Sequence, residues 1–83
     1  AGSASGGSYT CPSSTKVQTT SKSAGYTYHS ITYGTYRLTR DFGVVASNSP
    51  HRVWATGRQD VSSWYVYGEV LEQGKVGCYV SLP

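Results

Sequence analysis

Two cysteines, Cys11 and Cys78, stand near opposite ends of a chain of 83 residues, and they limit what it can fold into more than any other feature. A chain of this length makes one domain. A domain so small buries little of its surface and is marginal without a staple. A lone, widely spaced pair is not a metal site, which needs several ligands close together. It is not the C-x-x-C of a redox centre either. The simplest reading is a structural disulfide between Cys11 and Cys78. In the chain-entropy model a closed loop of this length contributes about 4 kcal/mol, comparable with the whole stability of a small domain. Such a bond persists in an oxidising compartment, so the expected localisation is secreted and extracellular.

The residues between the cysteines read as β throughout. The last twenty form two arms rich in aromatic and β-branched side chains, Trp64 to Gly68 and Lys75 to Val80, which suit a pleated, half-buried surface. Gln73-Gly74 between them predicts a hairpin turn. In this hairpin Trp64 and Val66 face inward, and Tyr65 and Tyr67 face outward with Tyr79 beside them on the return arm. Tyr26 to Tyr33 is a further strand, with Tyr26 and Tyr28 on one side and Thr27, His29, Ile31 and Tyr33 on the other. Thr15–Thr20, Thr35–Arg40 and His51–Thr56 are strand candidates as well, with Tyr36 and Leu38 sharing a face. Ser21–Gly25, Ser47-Asn-Ser-Pro50 and Gly57–Asp60 read as loops or turns, and Asp41-Phe42-Gly43 as a turn or bulge.

No stretch shows the helical period, and short strands bounded by turn residues indicate a sandwich or barrel. The expected fold is all-β: a small disulfide-stapled β-barrel or compact sandwich over residues 11–83, preceded by a flexible segment, 1–10. That Gly/Ser-rich start reads either as a mature N-terminus left by signal cleavage or as a remnant of an added tag, and it is set aside from the fold. No apolar run reaches the length of a membrane span.

The stretch Trp64-x-x-x-Gly68 followed by Gly74-Lys-Val-Gly77-Cys-Tyr79-Val80 resembles the end of bacterial extracellular Src-homology-3-type (SH3-like) domains. Tyr36-Arg37-Leu38-Thr39-Arg40 is similar to the first core strand of that family, and Val44-Val45 and Val53-Trp54-Ala55 to the next two, so the resemblance spans roughly residues 35–83. The usual Asn-x-Arg-Ser-Gly-Pro after the first strand is replaced by Arg40-Asp41-Phe42-Gly43, and the first third of the chain has no counterpart. The resemblance implies a small barrel without catalytic machinery that binds cell-wall peptides or a protein partner.

Charged residues are few, and the formal net charge is +3. That mild excess favours anionic surfaces such as cell-envelope polymers or nucleic acid, the latter being the weaker expectation. A small secreted ribonuclease would need a general base, a general acid and an arginine, and Glu69, His29 or His51, Arg37 and Arg52 could supply those roles. Such enzymes pack a helix on a sheet, however, and no helix is legible. His29 and His51 do not have metal-ligand spacing, so neither metal nor other cofactor is expected.

Tyrosine carries more information. Eight of the 83 residues are Tyr, a side chain that makes rigid amphipathic contact surface. The expected binding residues are Tyr65, Tyr67, Tyr79, Trp54, Tyr36, Arg37 and Arg52, with the loops around 40–50 and 57–62. The leading expectation is therefore a secreted, non-catalytic binding module or adaptor. Its target would be a protein partner or a bacterial cell-envelope polymer, and one step further it would be a subunit of an extracellular assembly used in competition between bacteria. The alternatives are a protease or glycosidase inhibitor presenting Ser47–Pro50 or Arg58–Asp60, a small bacteriocin, and the ribonuclease. Oligomeric state is not legible.

Overall fold

The computed structural model describes residues 1–46 and 51–80, and every regular element in it is a β-strand. In chain order these are β1 (Gly2–Gly6), β2 (Tyr9–Thr10), β3 (Thr15–Tyr33), β4 (Tyr36–Val45), β5 (Arg52–Ala55), β6 (Asp60–Val61) and β7 (Ser63–Val80). Two long strands organise the molecule. β3 and β7 pair antiparallel from Thr15↔Val80 to Thr32↔Ser63. On the other side of β3, β5 pairs with the first half (Gln18↔Ala55 to Ser21↔Arg52) and β4 with the second (Gly25↔Val45 to Tyr33↔Tyr36). β1 lines the far side of β7, from Gly2↔Gly68 to Gly6↔Trp64, and β2 and β6 form a small separate pair. The all-β class is as expected, but the order β1-β7-β3-β4 has two ends, and no closed barrel is found among the described residues.

The expected hairpin at Gln73-Gly74 is not there. Both arms belong to the single strand β7, and Gly74 pairs with Ser21 in mid-ladder. Gly74 serves close approach instead: a Cβ on it would lie 2.9 Å from Ala4 Cβ and 3.0 Å from Val66 Cγ1. The tight hairpin is at Gly34-Thr35, between Tyr33 and Tyr36, where Gly34 supplies the positive φ (57°) that a glycine at the first turn position allows.

The approach at Gly74 follows from the way β3 and β7 bend. Their ladder slips between Lys22 and Ser23 and again between Ala24 and Thr27, where Gly25 and Tyr26 together oppose Glu69. Extra residues of this kind bend a strand and sharpen its twist. Gly25 takes φ 79° at the bend, and the Glu69 carboxylate accepts the Tyr26 backbone N–H at 2.8 Å, satisfying a donor that the ladder leaves free. Thus Ser21–Gly25, read as a loop, is the bent centre of one strand. Asp41-Phe42-Gly43 is a bulge within β4, since Thr27 pairs with Gly43 and Tyr28 with Asp41.

Bending lays the first half of β3 against its second half. Val17, Thr19, Ser21 and Ser23 all turn inward, as do Thr27, His29 and Ile31, and all are buried. Hydroxyls bridge the two halves: Ser23 Oγ lies 2.8 Å from Thr27 Oγ1, and His29 sits between Thr19 Oγ1 and Ser21 Oγ, 2.8 Å from each. This part of the interior is polar but fully paired, and among the described residues no buried side-chain nitrogen or oxygen lacks a partner. An apolar cluster fills the other end. Cys11, Val17, Ile31 and Val61 form its centre, with Tyr9, Tyr33, Leu38, Trp54, Trp64 and Val76 packed around them.

The Cys11–Cys78 disulfide is formed, with the Cα atoms 5.8 Å apart. It ties the segment after β2 to the end of β7. The Gly/Ser-rich start, set aside from the fold on sequence grounds, takes part in it: β1 pairs with β7 and β2 with β6. A glycine is what position 6 needs, because a Cβ there would collide with the Trp64 indole. Of the expected recognition loops, residues 40–45 belong to β4 and 60–61 to β6, while Ser47-Asn-Ser-Pro50 lies outside the described residues.

Candidate functional site: a tyrosine ladder beside a hydroxyl-lined groove

Strand alternation sets the outer face of the second half of β3. Thr27, His29 and Ile31 point inward, so Tyr28, Ser30 and Thr32 take the opposite face, where Ser30 is itself buried and its Oγ donates to the Leu38 carbonyl at 3.1 Å. Their partners across the ladder share that face. Tyr28 opposes Tyr67, Ser30 opposes Tyr65 and Thr32 opposes Ser63 on β7. Ser30 also opposes Thr39, and Thr32 opposes Arg37, on β4. Ser5 of β1 opposes Tyr65.

Four tyrosines meet here. The Tyr28 and Tyr67 rings stack with centroids 5.2 Å apart, Tyr65 lies 5.8 Å from Tyr28, and Tyr26 lies 5.9 Å from Tyr28 and 6.4 Å from Tyr67. Cross-strand aromatic pairs of this kind stabilise a sheet as well as paving it. The Tyr26 phenol donates to Asp41 Oδ2 at 2.8 Å, and Asp41 Oδ1 accepts the Gly43 N–H at 2.7 Å. These bonds hold the Asp41 carboxyl below the usual carboxylate range, the Tyr26 bond foremost, and the same bond raises the Tyr26 phenol. Tyr28 is also raised, first by desolvation and then by its hydrogen bond with Tyr65, while Arg37 pulls the other way. Tyr26 and Tyr28 therefore remain neutral at physiological pH, with the Tyr26 O–H committed to Asp41.

Beside the ladder is a depression of about 450 Å³, within the size range of small-ligand sites. Tyr28, Tyr65 and Trp64 supply its rings. Ser5, Ser30, Thr32, Thr39 and Ser63 supply hydroxyls, Gly6 leaves room, and Arg37 is the one charged residue in the lining. Arg37 is exposed and has no ion-pair or hydrogen-bond partner among the described residues, where the ion pair is Lys22–Glu72 at 3.2 Å. Among the described residues no carboxylate lines the groove.

Of the seven residues expected to bind, the structure brings together Tyr65, Tyr67 and Arg37. The other four lie elsewhere. Tyr79 opposes Lys16 in the other half of β7, and its phenol accepts the Gly57 N–H at 3.1 Å. It was placed beside Tyr65 only by the hairpin that does not exist. Trp54 packs on the apolar cluster. Arg52 opposes Ser21 on β5, away from the groove. Tyr36 is 65% exposed, but it stacks on Tyr33 at 5.5 Å, a ring over which the Arg58 guanidinium sits at 3.8 Å. Sequence reasoning missed Tyr26 and Tyr28 as site residues, together with the hydroxyls of Ser30, Thr32 and Ser63. The alternation of Tyr26 and Tyr28 was legible; their pairing with Tyr65 and Tyr67 required the β3–β7 register.

The residues considered for ribonuclease chemistry do not converge. His29 is on the inner face, fully buried between two hydroxyls, with the Phe42 ring 4.8 Å away and the Arg40 guanidinium over that ring. Arg37 is on the outer face, and Glu69 is bonded to the Tyr26 backbone. Among the described residues no three His, Cys, Asp or Glu side chains gather as a metal site requires, and no helix is long and apolar enough to cross a membrane. No protein-family model matches the chain, and no similar curated protein or solved structure was found.

Proposed function

We propose that this chain is a secreted, non-catalytic binding module that holds a polymer of the bacterial cell envelope in the groove beside its tyrosine ladder. The observation that carries the reading is the lining itself: rings and hydroxyls side by side on one sheet face, with an exposed arginine that has no partner among the described residues. Aromatic faces offer apolar contact to the flat side of a sugar ring, while serine and threonine oxygens exchange hydrogen bonds with its hydroxyls. Protein interfaces are likewise rich in Tyr, Trp and Arg but depleted in Ser, so it is the serine-rich part of the lining that favours a sugar. The disulfide supports an oxidising setting. The way β3 and β7 fold over themselves supports the small barrel-like or sandwich architecture that belongs with this reading.

Sedimentation with purified bacterial cell walls tests it. The wild-type protein is expected to pellet with the walls, and Tyr65→Ala to weaken that retention by about tenfold, the equivalent of one lost aromatic contact. A protein that stays in the supernatant at every wall concentration would refute the proposal.

A further inference from the structure

Taking the groove as a polymer-binding site, we infer that its ligand is an acidic saccharide, with Arg37 receiving the anionic group and the tyrosines the sugar faces. The inference deepens the reading above and rests on it. Arg37 sits at the groove wall opposite Thr32, next in line to Thr39, and among the described residues it has neither carboxylate nor hydrogen-bond partner. Its guanidinium presents five donors in a planar fork that matches a carboxylate or phosphate. Among the described residues that line the groove none is an acid, so none competes for it. The Asp41 carboxylate, on the residue opposite Tyr28 in the β3–β4 ladder, is already engaged by the Tyr26 phenol and the Gly43 N–H.

The spacing of charge selects a saccharide over single-stranded nucleic acid. A nucleic acid brings a phosphate with every nucleotide, and its sites are positively charged grooves that track the backbone. Here one arginine stands among five serine and threonine side chains of the described lining, a ratio suited to a ligand with many hydroxyls and an occasional charge. That charge is either a carboxylate on the sugar or a phosphate between sugars.

The experiment uses the full chain and purified cell walls of a Gram-positive bacterium in four states: untreated, stripped of phosphate-linked polymers with hydrofluoric acid, amidated at the carboxylates with carbodiimide, and doubly treated. Retention is expected to fall about ten- to a hundredfold when the relevant acid is removed, the worth of one charge-assisted hydrogen bond. The single treatment that causes the fall identifies phosphate or carboxylate as the partner. Arg37→Gln is expected to reproduce the fall on untreated walls and to be indifferent to both treatments. Circular dichroism checks its fold, which an exposed side chain without partners should leave unchanged. Equal retention on untreated and doubly treated walls, or full retention of Arg37→Gln, overturns the inference and leaves the binding-module proposal standing. Tighter binding to a dT20 oligonucleotide than to walls overturns it in favour of nucleic acid. Absence of retention on any wall removes both.

Discussion

His29 makes stability depend on pH in a way that can be worked out from its surroundings. Its ring is fully buried, Nδ1 2.8 Å from Thr19 Oγ1 and Nε2 2.8 Å from Ser21 Oγ, with the Phe42 ring 4.8 Å away in an edge-to-face contact. The two hydroxyls do not bar protonation, since each can accept as well as donate. Burial does, and the Arg40 charge adds to it; together they lower the His29 pKa from 6.5 to about 4. In the unfolded chain the ring takes a proton as pH falls through 6.5; in the folded chain it does not until about 4. Between those values the unfolded state binds more protons, so stability declines with falling pH by about 1.4 kcal/mol per pH unit and levels off below the folded value. The full window is worth about 3 kcal/mol, a large share of what a small domain has. Urea denaturation of the wild type and of His29→Gln, from pH 7.5 to 3.5, isolates this contribution, because glutamine stays neutral throughout. The stability difference between the two should shrink by about that amount across the window. NMR titration of the His29 ring in the native protein gives a second readout that needs no variant. A constant difference from neutral pH to pH 4, or a ring that titrates near 6.5 in the folded state, would refute the reasoning.

Two further outcomes concern the fold. Reducing the Cys11–Cys78 bond, or replacing both cysteines with serine, is expected to cost about 4 kcal/mol by the chain-entropy estimate, read as a drop in melting temperature with and without reductant; a loss below about 1 kcal/mol would mean that the sheet does not depend on the staple. Gly74→Ala is expected to cost about 1–3 kcal/mol by overpacking against Ala4 and Val66. Gly77→Ala, where a Cβ meets nothing within 4 Å, should stay within about 0.5 kcal/mol of the wild type in the same denaturation experiment, and equal effects at the two glycines would contradict the folded-over ladder.

These perturbations show where sequence reading succeeded and where it stopped. A period of two is a local property, so the strands, the inward set of Trp64 and Val66, and the shared face of Tyr36 and Leu38 were legible. The disulfide was legible because two cysteines in a small chain leave few other roles. Strand length was not. Glycine marks a turn when the chain must reverse, and it equally marks a place where two layers come too close for a Cβ. Sequence alone does not separate the two uses. Gly34 and Gly74 illustrate the pair: the first turns the chain and the second lets β7 pass under its own beginning. Reading Gly74 as a turn folded β7 in half, carried Tyr79 to the wrong place and hid the partners of Tyr26 and Tyr28.

The same bend explains a composition that looked too polar for a core. Laying two halves of one strand together brings Thr19, Ser21 and Ser23 against Thr27 and His29, so each hydroxyl meets another polar group rather than an aliphatic wall. Buried polar groups are tolerable when every one is paired. Here the pairing is done within a single strand, which fixes the register of the fold-over as a row of valines could not. With the inner face of β3 satisfied by serine, threonine and one histidine, its outer face is left to carry Tyr26, Tyr28, Ser30 and Thr32 without loss to the core. The polar interior and the tyrosine-walled groove are thus the two faces of one bent strand. A hydrophobic residue placed at Thr19 or Ser21 would disturb the groove through the register rather than through any contact with it.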